Sequence, residues 1–211
     1  MIKVEILRIC DDFIKHETQN NSEYLKIQNY YKNLYINNIL PKHWLNCKLD
    51  IIQYCPSNGK LLEIGSYTGS MSFLLNDIFP NLNIVSIDKN KNVIDYLKKY
   101  NRDNLIFKNI DFFDIDESFD YILTEQTILG KIKPYENIIQ EISKKTKIGA
   151  IFGELKKDVL KKILIFNDKL NSNLEAEIDN DYEKFEELLY QNFNLVEKYE
   201  KDYYIVYKTA P

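Results

Sequence analysis

Arginine is nearly missing from this chain: Arg8 and Arg102 stand against 26 lysines in 211 residues. Arginine is the planar fork that reads phosphates and guanines in pairs. With a net charge of −4, neither a basic field nor its preferred reader marks the chain as a nucleic-acid binder. Histidine is as scarce, with His16 and His43 alone, and the three cysteines, Cys10, Cys47 and Cys55, contain no Cys-x-x-Cys pair. An odd count at that spacing argues against a disulfide framework and a zinc site, and for reduced thiols. No run approaches the ~20 apolar residues that span a bilayer. The start, Met1 to Phe13, carries Glu5, Asp11 and Asp12 and has no apolar centre, unlike a secretory leader. These absences set the expectation of a cytoplasmic protein with neither a membrane nor a nucleic acid as partner.

The chain does have enough apolar residues, 45% of the total, to fill a sizeable core rather than remain disordered. The first fifty-five residues read as helical. Ile6, Ile9, Cys10, Phe13 and Ile14 fall at helical spacing, as do Tyr24, Ile27, Tyr31, Leu34 and Tyr35. Pro41 suits the first turn of a third helix that buries Trp44, Leu45, Leu49 and Ile52. Pro56 to Gly59 then makes a turn.

From Lys60 the pattern becomes short apolar runs alternating with helical ones. Strands are expected at Leu61–Ile64, Asn83–Ile87, Leu105–Ile110, Tyr121–Leu123 and Ile148–Phe152. Helices are expected at Gly69–Ile78, Lys91–Tyr100, Pro134–Ser143, Leu155–Leu164 and Asp181–Gln191. Such alternation gives βαβ units and a parallel sheet covered on both faces. The last two strands, Asn194–Tyr199 and Tyr203–Lys208, lie so close in sequence that they can pair only as an antiparallel hairpin. The expected fold is α/β: a doubly wound, Rossmann-like, seven-stranded and mostly parallel sheet with an antiparallel last strand. Residues 1–56 form a helical cap or lid and residues 57–211 the core.

The chemistry concentrates where strands end. Leu61-Leu62-Glu63-Ile64-Gly65-Ser66-Tyr67-Thr68-Gly69-Ser70 runs a buried strand through two glycines into a helix. A ligand can approach the backbone there, beside a helix N-terminus. The Gly-x-x-x-Gly spacing is neither the dinucleotide fingerprint nor a P-loop. Asp88 closes the second strand about 20 residues after the loop, where a carboxylate can accept both hydroxyls of a ribose.

These residues resemble the class I S-adenosylmethionine-dependent methyltransferases of small-molecule type. Glu63 to Gly69 is similar to that family's acidic-x-Gly-x-Gly-x-Gly motif, with Tyr67 in place of the middle glycine. Asn109-Ile110-Asp111-Phe112 resembles its adenine-contacting stretch, and the closing hairpin its reversed seventh strand. The resemblance implies S-adenosylmethionine as cofactor. It places Glu63, Gly65, Ser66, Tyr67 and Gly69 along the methionine portion, Asp88 and Lys89 at the ribose, Asp111 and Phe112 at the adenine, and Thr124 at the end of the fourth strand.

Methyl transfer from a sulfonium is an in-line displacement, so alignment and exclusion of water are the main demands. Glu125 and Gln126 follow the fourth strand and Glu154 the fifth, so all three are expected to face the methyl. Glu125 and Glu154 are the candidate acid–base groups, with His43 a third. Gln126 and, from an aromatic lid of Tyr30, Tyr31 and Tyr35, the residues Tyr31 and Tyr35 are candidate substrate contacts, since ring faces attract cations. The Thr124-Glu125-Gln126-Thr127 run departs from the Asn/Asp-Pro-Pro-Tyr/Phe signature of the nucleic-acid amine methyltransferases, and no aspartate set for a metal is present. The expectation is a metal-independent transfer to the nitrogen or oxygen of a small molecule. Aminocarboxypropyl transfer, a nucleic-acid or protein methyltransferase subunit and a non-catalytic cofactor-binding module stay open at this level.

Overall fold

A computed structural model describes residues 44–67, 69–129, 135–166, 172–202 and 204–211. His16, Tyr31, Tyr35, His43 and most of the 1–56 cap therefore lie outside the described residues. Helix α1 (Trp44–Ile52) leads into β1 (Asn58–Ile64), α2 (Ser70–Ile78), β2 (Asn81–Asp88) and α3 (Lys91–Leu97). Then come β3 (Leu105–Asn109), a single 3₁₀ turn at Phe112–Asp114, β4 (Phe119–Glu125), α4 (Tyr135–Lys145) and β5 (Thr146–Leu155). The chain closes with α5 (Lys157–Phe166), α6 (Ser172–Asn192), β6 (Leu195–Glu200) and β7 (Tyr204–Ala210).

Among the described residues seven strands form one sheet in the order β3-β2-β1-β4-β5-β7-β6. The first five run parallel, and β7 is antiparallel to both β5 and β6. Alternation along each strand builds two cores, because successive side chains leave opposite faces of a pleated strand. Leu61, Ile84, Phe107, Leu123 and Ile151 face α1, α2 and α3. Leu62, Ile64, Val85, Ile122 and Phe152 face α4 and α6. Strands buried on both faces read as unbroken apolar runs, which is why β1 and β2 were legible.

Several elements exceed their expected bounds. β4 extends on to Glu125 and β5 back to Thr146. Helix α6 starts at Ser172 rather than Asp181, because its polar first turns are held from outside: Asp179 receives Lys157 and Lys161 of α5 at 3.1 and 2.8 Å. Those two lysines thus serve packing between helices. The predicted Lys91–Tyr100 helix divides into α3 and a 3₁₀ turn at Lys98–Tyr100. Helix α3 is started by Asn90, whose side chain accepts from Asn92 N and Val93 N. Helix α1 joins the first core through Ile51 and Ile52, and a Cβ at Gly153 would sit 2.5 Å from Ile51 Cδ1. No described helix is long and apolar enough to cross a membrane.

Candidate active site

Strand order reverses around β1, which pairs β2 on one side and β4 on the other. Open α/β sheets bind ligands beyond the carboxyl ends of strands at such a switch point. Gly65 lies there with φ 80°. A Cβ on it would come within 2.7 Å of Thr127 Oγ1, so the loop after β4 rests directly on the loop after β1. Gly65→Ala combines that clash with a left-handed backbone and is expected to destabilise the fold by about 2–4 kcal/mol, read by denaturant unfolding.

The amides of the loop are already used. Gly65 N and Ser66 N both donate to Ile87 O at 2.9 Å, and Gly69 N donates to Ser66 O at 2.7 Å. Tyr67 N donates to Asp88 Oδ2 at 3.0 Å, which helps hold Tyr67 at its left-handed φ of 44°. A P-loop aims its amides at phosphate; the described amides between Gly65 and Gly69 face inward instead. The Ser66 and Thr124 hydroxyls are buried and have no hydrogen-bond partner among the described residues.

Asp88 also accepts from Asn90 N at 2.8 Å. A carboxylate offers about four lone-pair sites, so two amides leave capacity for two hydroxyls. One residue on, Lys89 pairs with Asp111 at 2.6 Å. Burial works to raise the Asp111 carboxyl, but the Lys89 bond and the Phe113 amide outweigh it and hold the group below its ordinary range. Phe112 turns into the second core at 3% exposure, with Lys145 Nζ 5.0 Å above its ring. Its neighbour Phe113, 45% exposed, is the ring that faces out beside Asp111. Sequence reading did not single it out.

Beneath the glycine loop lies a buried charged cluster. Glu63, at 2% exposure, accepts from Ser72 of α2 and Ser86 of β2. Burial pushes its carboxyl from the ordinary 4.5 up to about 7, against the pull of the two serines and Lys48. The stability contributed by this group is full below about 4.5 and lost as the pH rises through about 7. Glu63→Gln should therefore flatten that part of the stability–pH curve. Melting temperatures of variant and wild type compared at acidic and alkaline pH will measure it, with the variant gaining on the alkaline side.

Glu125, at the end of β4, is ion-paired to Lys48 of α1, and both side chains are over nine-tenths buried. Sequence reading missed Lys48 altogether. The neighbouring Cys55 thiol is driven far above its ordinary range by burial and by the charges of Glu63 and Glu125. Gln126 adopts a left-handed φ of 50°; its amide donates to Gly153 O at 2.8 Å and its side chain to the Tyr204 hydroxyl of β7.

Glu154 does not join this cluster. Glu125 pairs in register with Gly153, so Glu154 leaves β5 on the opposite face. There it is 2% exposed, accepts from Ile128 N at 3.4 Å and lies near Tyr182 and Tyr207. Burial first, and the Glu154 charge among lesser causes, push both phenols above their ordinary range. The expected convergence of Glu125, Gln126 and Glu154 thus reduces to Glu125 and Gln126. Among the described residues no three His, Cys, Asp or Glu side chains cluster as a metal site would require.

No curated protein matches the sequence. The fold is similar to that of the plantazolicin methyltransferase BpumL, solved with a monoazolic desmethylPZN analog and SAH. The TM-score there is 0.61 at 14% identity, over 100% of this chain and 99% of that one. A precorrin-6y C5,15-methyltransferase from Geobacter metallireducens aligns at TM-score 0.54 and 16% identity, over 81% of this chain and 91% of that one. Human N-acetylserotonin methyltransferase, solved with SAM, aligns at TM-score 0.56 and 13% identity, over 77% of this chain and 51% of that one. The sequence pattern described as a methyltransferase domain matches residues 56–207, from the turn before β1 to the middle of β7, and the chain belongs to that methyltransferase family.

Proposed function

We propose that this protein transfers the methyl group of S-adenosylmethionine to a small-molecule acceptor. The observation that carries this reading is the inward use of the loop amides at Gly65, Ser66, Tyr67 and Gly69, which leaves a glycine loop suited to a ligand without phosphates. The residues fit this cofactor. Asp88 retains acceptor sites for the ribose, the unpartnered Ser66 and Thr124 hydroxyls suit polar contacts, and the Glu63 carboxylate suits an ammonium. Asp111 and the exposed Phe113 ring flank the adenine end.

When bound, the cofactor supplies a methyl on a positively charged sulfur; the carbon–sulfur bond breaks as the acceptor forms its new bond, and the electron pair stays on sulfur. Glu125 orients the acceptor and stabilises positive charge that passes to it. Gln126, fixed through Tyr204, closes the opening behind Glu125 and keeps water out. Residues 1–56 serve as a cap over the acceptor side, with α1 as its anchor on the core. Deletion of Met1–His43, which keeps α1, is expected to retain cofactor affinity and to lose methylation by at least tenfold, measured by calorimetry and by turnover.

Calorimetric titration with S-adenosylhomocysteine tests the cofactor assignment, and absence of binding would end it. Product analysis tests the reaction: S-adenosylhomocysteine as by-product marks methyl transfer, whereas methylthioadenosine would mark aminocarboxypropyl transfer.

A further inference from the structure

The part of the chain that carries the family pattern begins at residue 56, yet one of the charges inside the candidate site comes from before it. Lys48 sits on α1, which packs against α2 and β7. Its ammonium enters the first core and pairs with Glu125. It also draws on Glu63, while Glu125 and Glu63 oppose each other. Around this cluster stand Cys55 from the turn after α1, Ser72 from α2, Ser86 from β2 and the Gln126–Tyr204 pair. Two buried carboxylates, at the carboxyl ends of the strands that frame the glycine loop, thus share one buried lysine. Above about pH 7, where Glu63 is ionised, the formal sum of these three described side chains is one negative charge.

Burying a carboxylate without compensation costs several kcal/mol, so this arrangement suits a ligand that brings one positive charge. In S-adenosylmethionine the ammonium and carboxylate cancel, and the sulfonium leaves a net charge of plus one. After the methyl has left, S-adenosylhomocysteine is neutral. Resting on the cofactor reading above, we propose that Lys48 is a positioning residue: it is the counter-ion that fixes Glu125 and sets the floor of the site at one net negative charge. The site thereby prefers the sulfonium cofactor to its neutral by-product and favours release after transfer.

The test is calorimetric titration of the full chain with S-adenosylmethionine and, separately, with S-adenosylhomocysteine, in buffers of different ionisation enthalpy so that protons are counted. Glu125→Gln makes the floor neutral, and the preference for S-adenosylmethionine should fall on the order of tenfold. Lys48→Met leaves the carboxylates uncompensated; they take up a proton in the unliganded protein, and binding of S-adenosylmethionine, but not of S-adenosylhomocysteine, should release about one more proton than in wild type. The double variant Lys48→Met/Glu125→Gln restores the net charge of minus one. Both readouts should return close to wild type in it; it removes the Glu125 charge that Lys48→Met strands and leaves Glu63 held by Ser72 and Ser86, so it folds even where Lys48→Met does not.

A purely structural Lys48 predicts the opposite, with the double variant displaced at least as far as the worse single one, and that result overturns the inference while leaving the cofactor assignment intact. Failure of the wild type to bind either compound overturns the cofactor assignment and this inference together.

Discussion

Replacing Asp88 with alanine is expected to weaken S-adenosylhomocysteine binding by about 30- to 150-fold, the equivalent of about 2–3 kcal/mol. The size follows from two hydroxyl bonds to a charged acceptor, each about twice as strong as a neutral one. Asp88 also accepts from Tyr67 N and Asn90 N, so alanine releases the amide that helps hold Tyr67 in its left-handed turn. Asp88→Asn separates the two effects. One amide oxygen remains to accept from the loop, while the charge and the paired acceptor geometry are lost, so affinity should still fall by tenfold or more with a smaller change in melting temperature. Wild-type affinity in Asp88→Ala would show that the ribose does not sit at the end of β2.

The glycine loop and Asp88 were legible in the sequence because the backbone alone dictates them: an apolar run, a residue that must lack Cβ, and a carboxylate at the end of the next run. What escaped depends on long-range register. Whether Glu125 and Glu154 face each other turns on which residues of β4 and β5 lie opposite, and the pairing of Glu125 with Gly153 puts Glu154 on the other face. Two strands far apart in sequence carry no local signal of that parity. Phe112 and Phe113 pose the same difficulty within one turn, since which ring enters the core follows from the 3₁₀ geometry and from the Asp111 cap on Phe113 N. Lys48 was legible in principle. It lies four residues after Trp44 and four before Ile52, on the apolar stripe of its helix, and a lysine there needs a buried carboxylate. The polar beginnings of β1 and α6 were missed for another reason: Lys60 N is paired by Asp120 at 2.8 Å and Asp179 by two lysines, partners that no local pattern announces.

Glu125→Gln is expected to have the largest effect on turnover. Its carboxylate ends β4, and the strand and the Thr127 hydroxyl, which donates to Ile64 O and Glu125 O at 3.1 and 2.9 Å, fix its backbone. The ion pair with Lys48 fixes the carboxylate in place, and on the proposed reading its contribution is orientation and stabilisation of the positive charge that moves onto the acceptor. General-base and electrostatic groups contribute ~10²–10⁴-fold, and a shared, paired carboxylate belongs at the lower end, so kcat should fall by about 10²-fold. S-adenosylhomocysteine, being neutral, should bind the variant nearly as well as wild type. A screen of metabolite pools for methylated products supplies the acceptor on which kcat and KM are then measured. A loss confined to KM would mark Glu125 as a contact made equally in ground and transition states. Turnover at the wild-type rate would leave alignment of cofactor and acceptor as the whole of the catalysis, with no part for this carboxylate.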